Sequence, residues 1–371
     1  MRTLLGAGIA AAACILAAAC APVPQRAEPP KPAVLVFPGP PEQPRFVYEW
    51  TLYSSADVVT EDRDNQFRRM ITGESRSGTG LAKPYAVAVH QGRIFLSDSV
   101  ERFVKAFDVP QGRYFQVGAE GAGRLAKPLG IDVDRAGTLY VADATLRAVM
   151  VYDRDGQFLR KIGGEKMFDR ISSVTVDPDG KRVFAIDIGG VNSENHRVRV
   201  FDGATGAHLF DIGKRGRGPG EFNLPRDLAI GRDGQLYVVD SGNFRVQVFD
   251  AAGRYLNAFG NIGKQLGNFA RPKEIASDRD GNVYVVDTAF GNTQLFTPEG
   301  DLLMFIGERS EQDGPARYML PSGVYVDEDG RIYVVDQWFR KVDIYRPAAL
   351  AAADGWLGKR RSAAKPAAAA R

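Results

Sequence analysis

Cysteine is nearly absent, with only Cys14 and Cys20 in 371 residues. Cys14 falls inside an apolar leader expected to be removed, so Cys20 is the single thiol of the processed chain and no internal disulfide can form. Histidine is as scarce, at His90, His196 and His208. These three stand in unrelated sequence contexts, so no shared zinc site is expected. The sequence lacks G-x-S-x-G, H-E-x-x-H and C-x-x-C-H, which leaves a nucleophile-elbow hydrolase, a zincin and covalent haem without motif support. The expectation is therefore no cofactor. Net charge is also small, with 48 basic against 45 acidic residues, and the excess sits at the ends. Setting aside Arg2, Lys359, Arg360, Arg361, Lys365, Arg371 and Asp354 leaves 42 against 44. A near-neutral body argues against a general nucleic-acid binder.

A long apolar run is missing too. Leu4 to Ala19 is too short for a comfortable membrane span and follows a positive Met1-Arg2 start, so residues 1–19 read as a signal peptide. Leu16-Ala17-Ala18-Ala19-Cys20 resembles a bacterial lipobox, with Ala17 in place of the usual leucine. The resemblance implies a lipidated Cys20. Ala21 after it resembles sorting to the outer membrane, with the body facing the periplasm. Residues 21–45 hold nine prolines, a composition that favours an extended spacer, so 20–45 is expected to be a tether. Residues 348–371 are rich in Ala, Lys and Arg and are expected to be a disordered tail.

What the chain has is a repeat. Phe95-Leu96-Ser97-Asp98 returns as Tyr140-Val141-Ala142-Asp143, Phe184-Ala185-Ile186-Asp187, Tyr237-Val238-Val239-Asp240, Tyr284-Val285-Val286-Asp287 and Tyr333-Val334-Val335-Asp336. The closing aspartates are 45, 44, 53, 47 and 49 residues apart. Each run follows an anchor such as Lys83-Pro84, Lys127-Pro128, Leu224-Pro225, Arg271-Pro272 or Leu320-Pro321, with Arg170-Ile171 standing in once. Short Val-, Phe- and Tyr-rich runs punctuated by Asp-Gly or Gly-Asn read as strands of a meander. Four strands at this period predict an all-β, six-bladed β-propeller of four-stranded antiparallel blades over residues 46–347. Phe46 to Leu52 reads as a single strand outside the repeat, within an N-terminal strand and insertion at 46–66. The repeats proper run over 67–347. Phe67 to Ile71, placed just before a glycine-rich passage, is expected to be a fourth strand that closes the ring against the three-stranded sixth blade.

The run Gly213 to Pro225, KRGRGPGEFNLP after its first glycine, continues into Tyr237 to Asp240 and Asn243-Phe244-Arg245-Val246-Gln247-Val248-Phe249. It resembles the NHL repeat family, over about residues 67–347 and best in the fourth blade. The resemblance implies the propeller far more firmly than any activity. Peptidylglycine amidating lyases of similar fold gather histidines around a metal at the channel, a pattern these three do not repeat. Gly213 to Gly220 lacks the preceding parallel strand and following helix of a phosphate loop. The six strand-ending aspartates are expected to tie down their next turns. Asp278-Arg279-Asp280-Gly281 and Asp327-Glu328-Asp329-Gly330 read as hairpin turns, not calcium loops.

One end of a propeller carries function on loops that the blades hold rigid. Residues just after the anchors line that end: Tyr85, Leu129, Ser172, Arg226, Lys273, Glu274 and Ser322. The loops Glu101-Arg102-Phe103, Leu146-Arg147, Asn243-Phe244-Arg245, Phe290-Gly291-Asn292 and Trp338-Phe339-Arg340 join them. Aromatic and arginine side chains are favoured at protein interfaces. The expected partner-binding set is Tyr85, Arg226, Asn243, Phe244, Arg245, Lys273, Glu274, Phe290, Trp338 and Arg340. The expected function is a lipid-anchored envelope scaffold that binds a protein or peptide and no nucleic acid. An amidating-lyase-like or lactonase-like enzyme at the channel mouth and a glycan-binding module are the alternatives.

Overall fold

A computed structural model describes residues 34–60, 63–73, 77–190 and 192–359. The expected signal peptide, Cys20, most of the expected tether and residues 360–371 lie outside the described residues. From Leu35 onward the chain forms one unit.

Six antiparallel sheets carry the repeat. Their inner strands are Pro84–His90, Pro128–Val133, Ile171–Val176, Pro225–Ile230, Pro272–Ser277 and Pro321–Val326. Each touches the next, and the sixth touches the first, so the sheets close into a ring around a central axis. Strand burial explains the composition. The second strands are buried almost throughout, Leu236–Asp240 and Val283–Asp287 at every position, because neighbouring blades cover both faces. They therefore read as unbroken apolar runs. The outer strands are mostly exposed; Tyr255–Phe259 buries only its last residue.

Two features of the repeat have direct physical causes. The glycine closing the outer strand of each of the first five blades has positive φ, at +78° for Gly213 and +84° for Gly260. A Cβ there would lie 2.4 Å from the Phe222 ring and 2.3 Å from the Phe269 ring, so only glycine lets the aromatic of the next blade pack against the turn. The strand-ending aspartates are all fully buried. Asp98 accepts from the backbone N–H groups of Ala82, Lys83, Val100 and Glu101, and Asp143, Asp287 and Asp336 repeat this pattern. Each carboxylate thus ties its own turn and also the anchor of the inner strand.

Ring closure differs from expectation. The fourth strand of the sixth blade is Phe46–Leu52, which pairs antiparallel with Lys341–Pro347, and Val36–Phe37 adds a fifth strand outside it. Val36 and Phe37, expected in the tether, thus belong to the sixth blade's sheet. Residues Arg63–Thr72, expected to supply the closing strand, form a helix instead. Phe67, Met70 and Ile71 are spaced for one helical face, and all three are exposed. The closing strand is chosen by side-chain complementarity. Glu49 pairs with the fully buried Arg331 at 2.8 Å, and Thr51 Oγ1 donates to Asp343 at 2.6 Å. Residues 348–358 also depart from the expected disordered tail. Asp354 O accepts from Arg331, Trp356 N–H donates to Asp329, and Leu357 is buried in the core between the sixth and first blades.

Candidate functional site

The inner strands and the loops between second and third strands put the anchors on one side of the ring. The positions after the anchors, Glu274 apart, form the layer nearest that side. Ser322 Oγ donates to Tyr85 O at 2.8 Å, and Ser172 Oγ donates to Arg226 O at 3.2 Å, joining neighbouring blades across the ring. The Lys273 ammonium lies over the Tyr85 ring, 4.2 Å from its centre. Burial pulls that ammonium down to about 8 and raises the Tyr85 hydroxyl.

Around this layer runs a rim of cations. Lys83, Lys127, Arg170 and Arg271 each occupy the position before an inner strand, and all are exposed. Arg102, Arg147 and Arg340 are exposed on the hairpin loops, each in the left-handed region with φ of 67°, 48° and 56°. No carboxylate among the described residues lies within ion-pairing distance of these seven; the pairs that do form involve other cations. Acidic residues of the same side, such as Glu120, Glu165 and Glu308, come early in the connections that run in from the outer strands. Asp169 and Glu101 lie nearer the rim; Asn195 Nδ2 donates to Asp169 at 2.9 Å, and Glu101 pairs with Lys105. Trp338 stands on the same side, 62% exposed.

The other expected site residues divide. Arg245 pairs with Asp240 at 2.9 Å and also donates to Gly218 O and Glu221 O. Asn243 donates to Asp240 and to Gly216 O. Both brace the glycine-rich passage. Phe244 and Phe290 are half-buried, Phe244 against the core between the fourth and fifth blades. Glu274 departs furthest from the rim. It is 5% exposed and lines the axis below.

Below the rim layer lies a cavity of about 660 Å³. Its open mouth is on the opposite side, bordered by Gln91, Arg135, Pro178, Arg232, Arg279 and Glu328. The sequence reading missed this cavity, because it forms only when six strands converge. Seven carboxylates line it, and three of them, from three blades, tie neighbouring inner strands together. Asp132 accepts from Thr175 Oγ1 at 2.6 Å and Val176 N–H, linking the second and third blades. Asp227 accepts from Ser173 Oγ at 2.5 Å and Ile275 N–H at 2.9 Å, linking the third, fourth and fifth. Glu274 accepts from the Val324 N–H of the sixth. Burial pushes Asp132 and Asp227 up to about 6. Burial, and then the Asp227 charge, hold Glu274 well above the usual carboxylate range. Asp132 and Asp227 bind protons more tightly folded than unfolded, so their stabilising effect is complete below about pH 4 and is lost as the pH rises through about 6.

The histidines do not meet. His90 pairs with Glu328 at 2.9 Å, His208 pairs with Asp211 at 2.7 Å, and His196 Nδ1 accepts from Leu224 N–H at 3.2 Å. Among the described residues no three His, Cys, Asp or Glu side chains converge to hold a metal ion.

Comparison with known proteins agrees with the repeat reading. The NHL repeat profile matches residues 222–249, within the fourth blade. NHL repeat-containing protein 3 of Mus musculus is 34% identical over 83 residues, 22% of this chain and 23% of that protein. The match thus spans about a quarter of that relative's length. Among solved structures, a gluconolactonase from Xanthomonas campestris aligns at 17% identity and a TM-score of 0.55, over 72% of this chain and 86% of the other. A virginiamycin B lyase from Staphylococcus aureus aligns at 11% identity and a TM-score of 0.51, over 71% and 95%. At these identities the likeness concerns the fold.

Proposed function

We propose that this chain is an envelope protein, lipid-anchored through Cys20 at the outer membrane and facing the periplasm, whose cationic rim binds an anionic segment of a protein or peptide. The observation that carries this reading is the rim itself. Seven exposed cations without ion-pair partners among the described residues come from every blade but the fourth to one side of the ring, with Trp338 among them. Such a surface steers acidic partners, and an exposed aromatic beside arginines supplies a hot spot. The matching positions in the other blades are Val100, Thr145, Gly189, Gly242 and Ala289, so the repeat does not require a tryptophan there.

Trp338→Ala is expected to weaken partner capture from envelope extract by about 2 kcal/mol, roughly thirtyfold, without lowering the melting temperature. Lys83→Glu combined with Arg271→Glu is expected to abolish the salt-sensitive part of binding. Unchanged capture by both variants rejects the rim as the binding surface. Recovery of an oligonucleotide in place of a protein overturns the class of partner.

Anchoring has its own measurement. Cys20→Ala is expected to end fatty-acid labelling and leave unprocessed or mislocalised precursor. Labelling that persists in that variant rules out lipidation at Cys20.

An enzyme working inside the channel is the second reading. The 660 Å³ cavity with its high-pKa carboxylates supports it, as does the fold shared with a lactonase and a lyase. A lactone-hydrolysis screen with no turnover above that of an Asp227→Asn, Glu274→Gln double variant would reject its lactonase form.

A further inference from the structure

The carboxyl of Glu274 is only half satisfied. Oε2 lies by Gly323, where a Cβ would stand 3.0 Å away, and the carboxyl accepts the Val324 N–H. Oε1 is buried and has no hydrogen-bond partner among the described residues. Lys273, the adjacent cation, does not supply one, because its ammonium is turned to the Tyr85 ring. A buried carboxylate oxygen left unpaired costs free energy.

The repeat does not require this carboxyl. At the position of Glu274 the other blades carry Ala86, Gly130, Ser173, Asp227 and Gly323. Ties between neighbouring blades are made elsewhere by hydroxyls: Ser97 to Leu129 O, Ser241 to Pro272 O and Thr288 to Pro321 O. The small residues at three of these positions put little side-chain bulk on the axis beside Glu274 and Asp227.

We infer that the channel binds the ammonium group of a small primary alkylamine, seated between Glu274 and Asp227 and entering from the mouth opposite the cationic rim. A primary ammonium offers three N–H donors from one compact charge, enough to serve Glu274 Oε1 and the second carboxylate together. A divalent cation fits less well, since no three acidic or imidazole groups converge. Val133, Val176, Ile230 and Val326 line the cavity between these carboxylates and the open mouth, where an alkyl tail would lie. Entry from the rim side is blocked by the half-buried Tyr85 and Lys273.

The test is thermal melting and calorimetric titration of the full chain with n-butylammonium chloride. Tetramethylammonium chloride, which has no N–H donor, and potassium chloride serve as controls. A saturable rise in melting temperature with butylammonium alone is expected. Glu274→Gln should weaken that binding at least tenfold while melting no lower than the parent, because the amide oxygen still accepts the Val324 N–H and the amide cannot ionise to hold the ammonium. Equal responses to all three salts, no saturable response, or undiminished binding by Glu274→Gln each overturns the inference. Trp338→Ala should leave the amine response unchanged, so the rim and channel readings succeed or fail separately.

Discussion

Replacing Glu49 with alanine is expected to open the ring between the first and last blades. Arg331 is fully buried, and Glu49 is its closest carboxylate: Nε donates to Oε2 at 2.8 Å and Nη2 to Oε1 at 3.3 Å. Removing one partner of a buried pair strands the other charge, at a cost of about 3–5 kcal/mol. Asp329 and the Asp354 carbonyl keep part of the guanidinium satisfied, which favours the lower end of that range. The position raises the stakes, because Glu49 lies on the strand that joins the N-terminal segment to the sixth blade. Its loss leaves Lys341–Pro347 as an open edge, and the C-terminal segment that Arg331 holds loosens with it. A circular-dichroism melt should show a fall on the order of 5–10 °C. Deleting residues 67–71, within the exposed helix, should shift the midpoint by less than about 2 °C, as surface changes do. Equal losses from the two changes would mean that Phe46–Leu52 does not close the ring.

Asp287→Ala should cost as much by a different route. The side chain is fully buried and accepts from the N–H groups of Ala270, Arg271, Ala289 and Phe290, at 2.8, 2.9, 2.9 and 3.1 Å. Alanine leaves four backbone donors without acceptors, each worth about 1–3 kcal/mol when buried and unrelieved. Water reaching the loop recovers part of this, so the net loss should be about 3–4 kcal/mol in a urea titration. Asn can accept at only one oxygen and should recover roughly half. Asp280→Ala, at an exposed turn position of the same blade, should stay within about 0.5 kcal/mol. A midpoint for Asp287→Ala as close to the parent as that of Asp280→Ala would show that the strand-ending aspartates are not the ties described.

The rim and the channel were legible to different degrees. Lys273 and Glu274 are neighbours in sequence and were assigned to one face. The pairing of Pro272–Ser277 with its neighbour slips between Pro272 and Ile275, and the two side chains part: Lys273 goes to the rim and Glu274 to the axis. Arg245 carried the same arginine signal as Arg340. It is absorbed by Asp240, whereas Arg340 remains exposed. Counting charges along the chain shows a neutral body, and no such count reveals that seven cations with no ion-pair partner among the described residues collect on one side of the ring.

By itself the sequence determined the number of blades, their order and their turns. Those depend on local requirements that recur: an aspartate that can reach its own turn, a glycine where φ must be positive, and apolar runs long enough for one strand. Closure and the site were decided only by tertiary structure. Phe46 to Leu52 and Phe67 to Ile71 both read locally as strands. Which one completes the sixth blade depends on Arg331 and Asp343, nearly three hundred residues away, finding Glu49 and Thr51 opposite them. The channel carboxylates likewise acquire their shared cavity and shifted protonation only when six strands, from Pro84 to Val326, converge on one axis and exclude water from it.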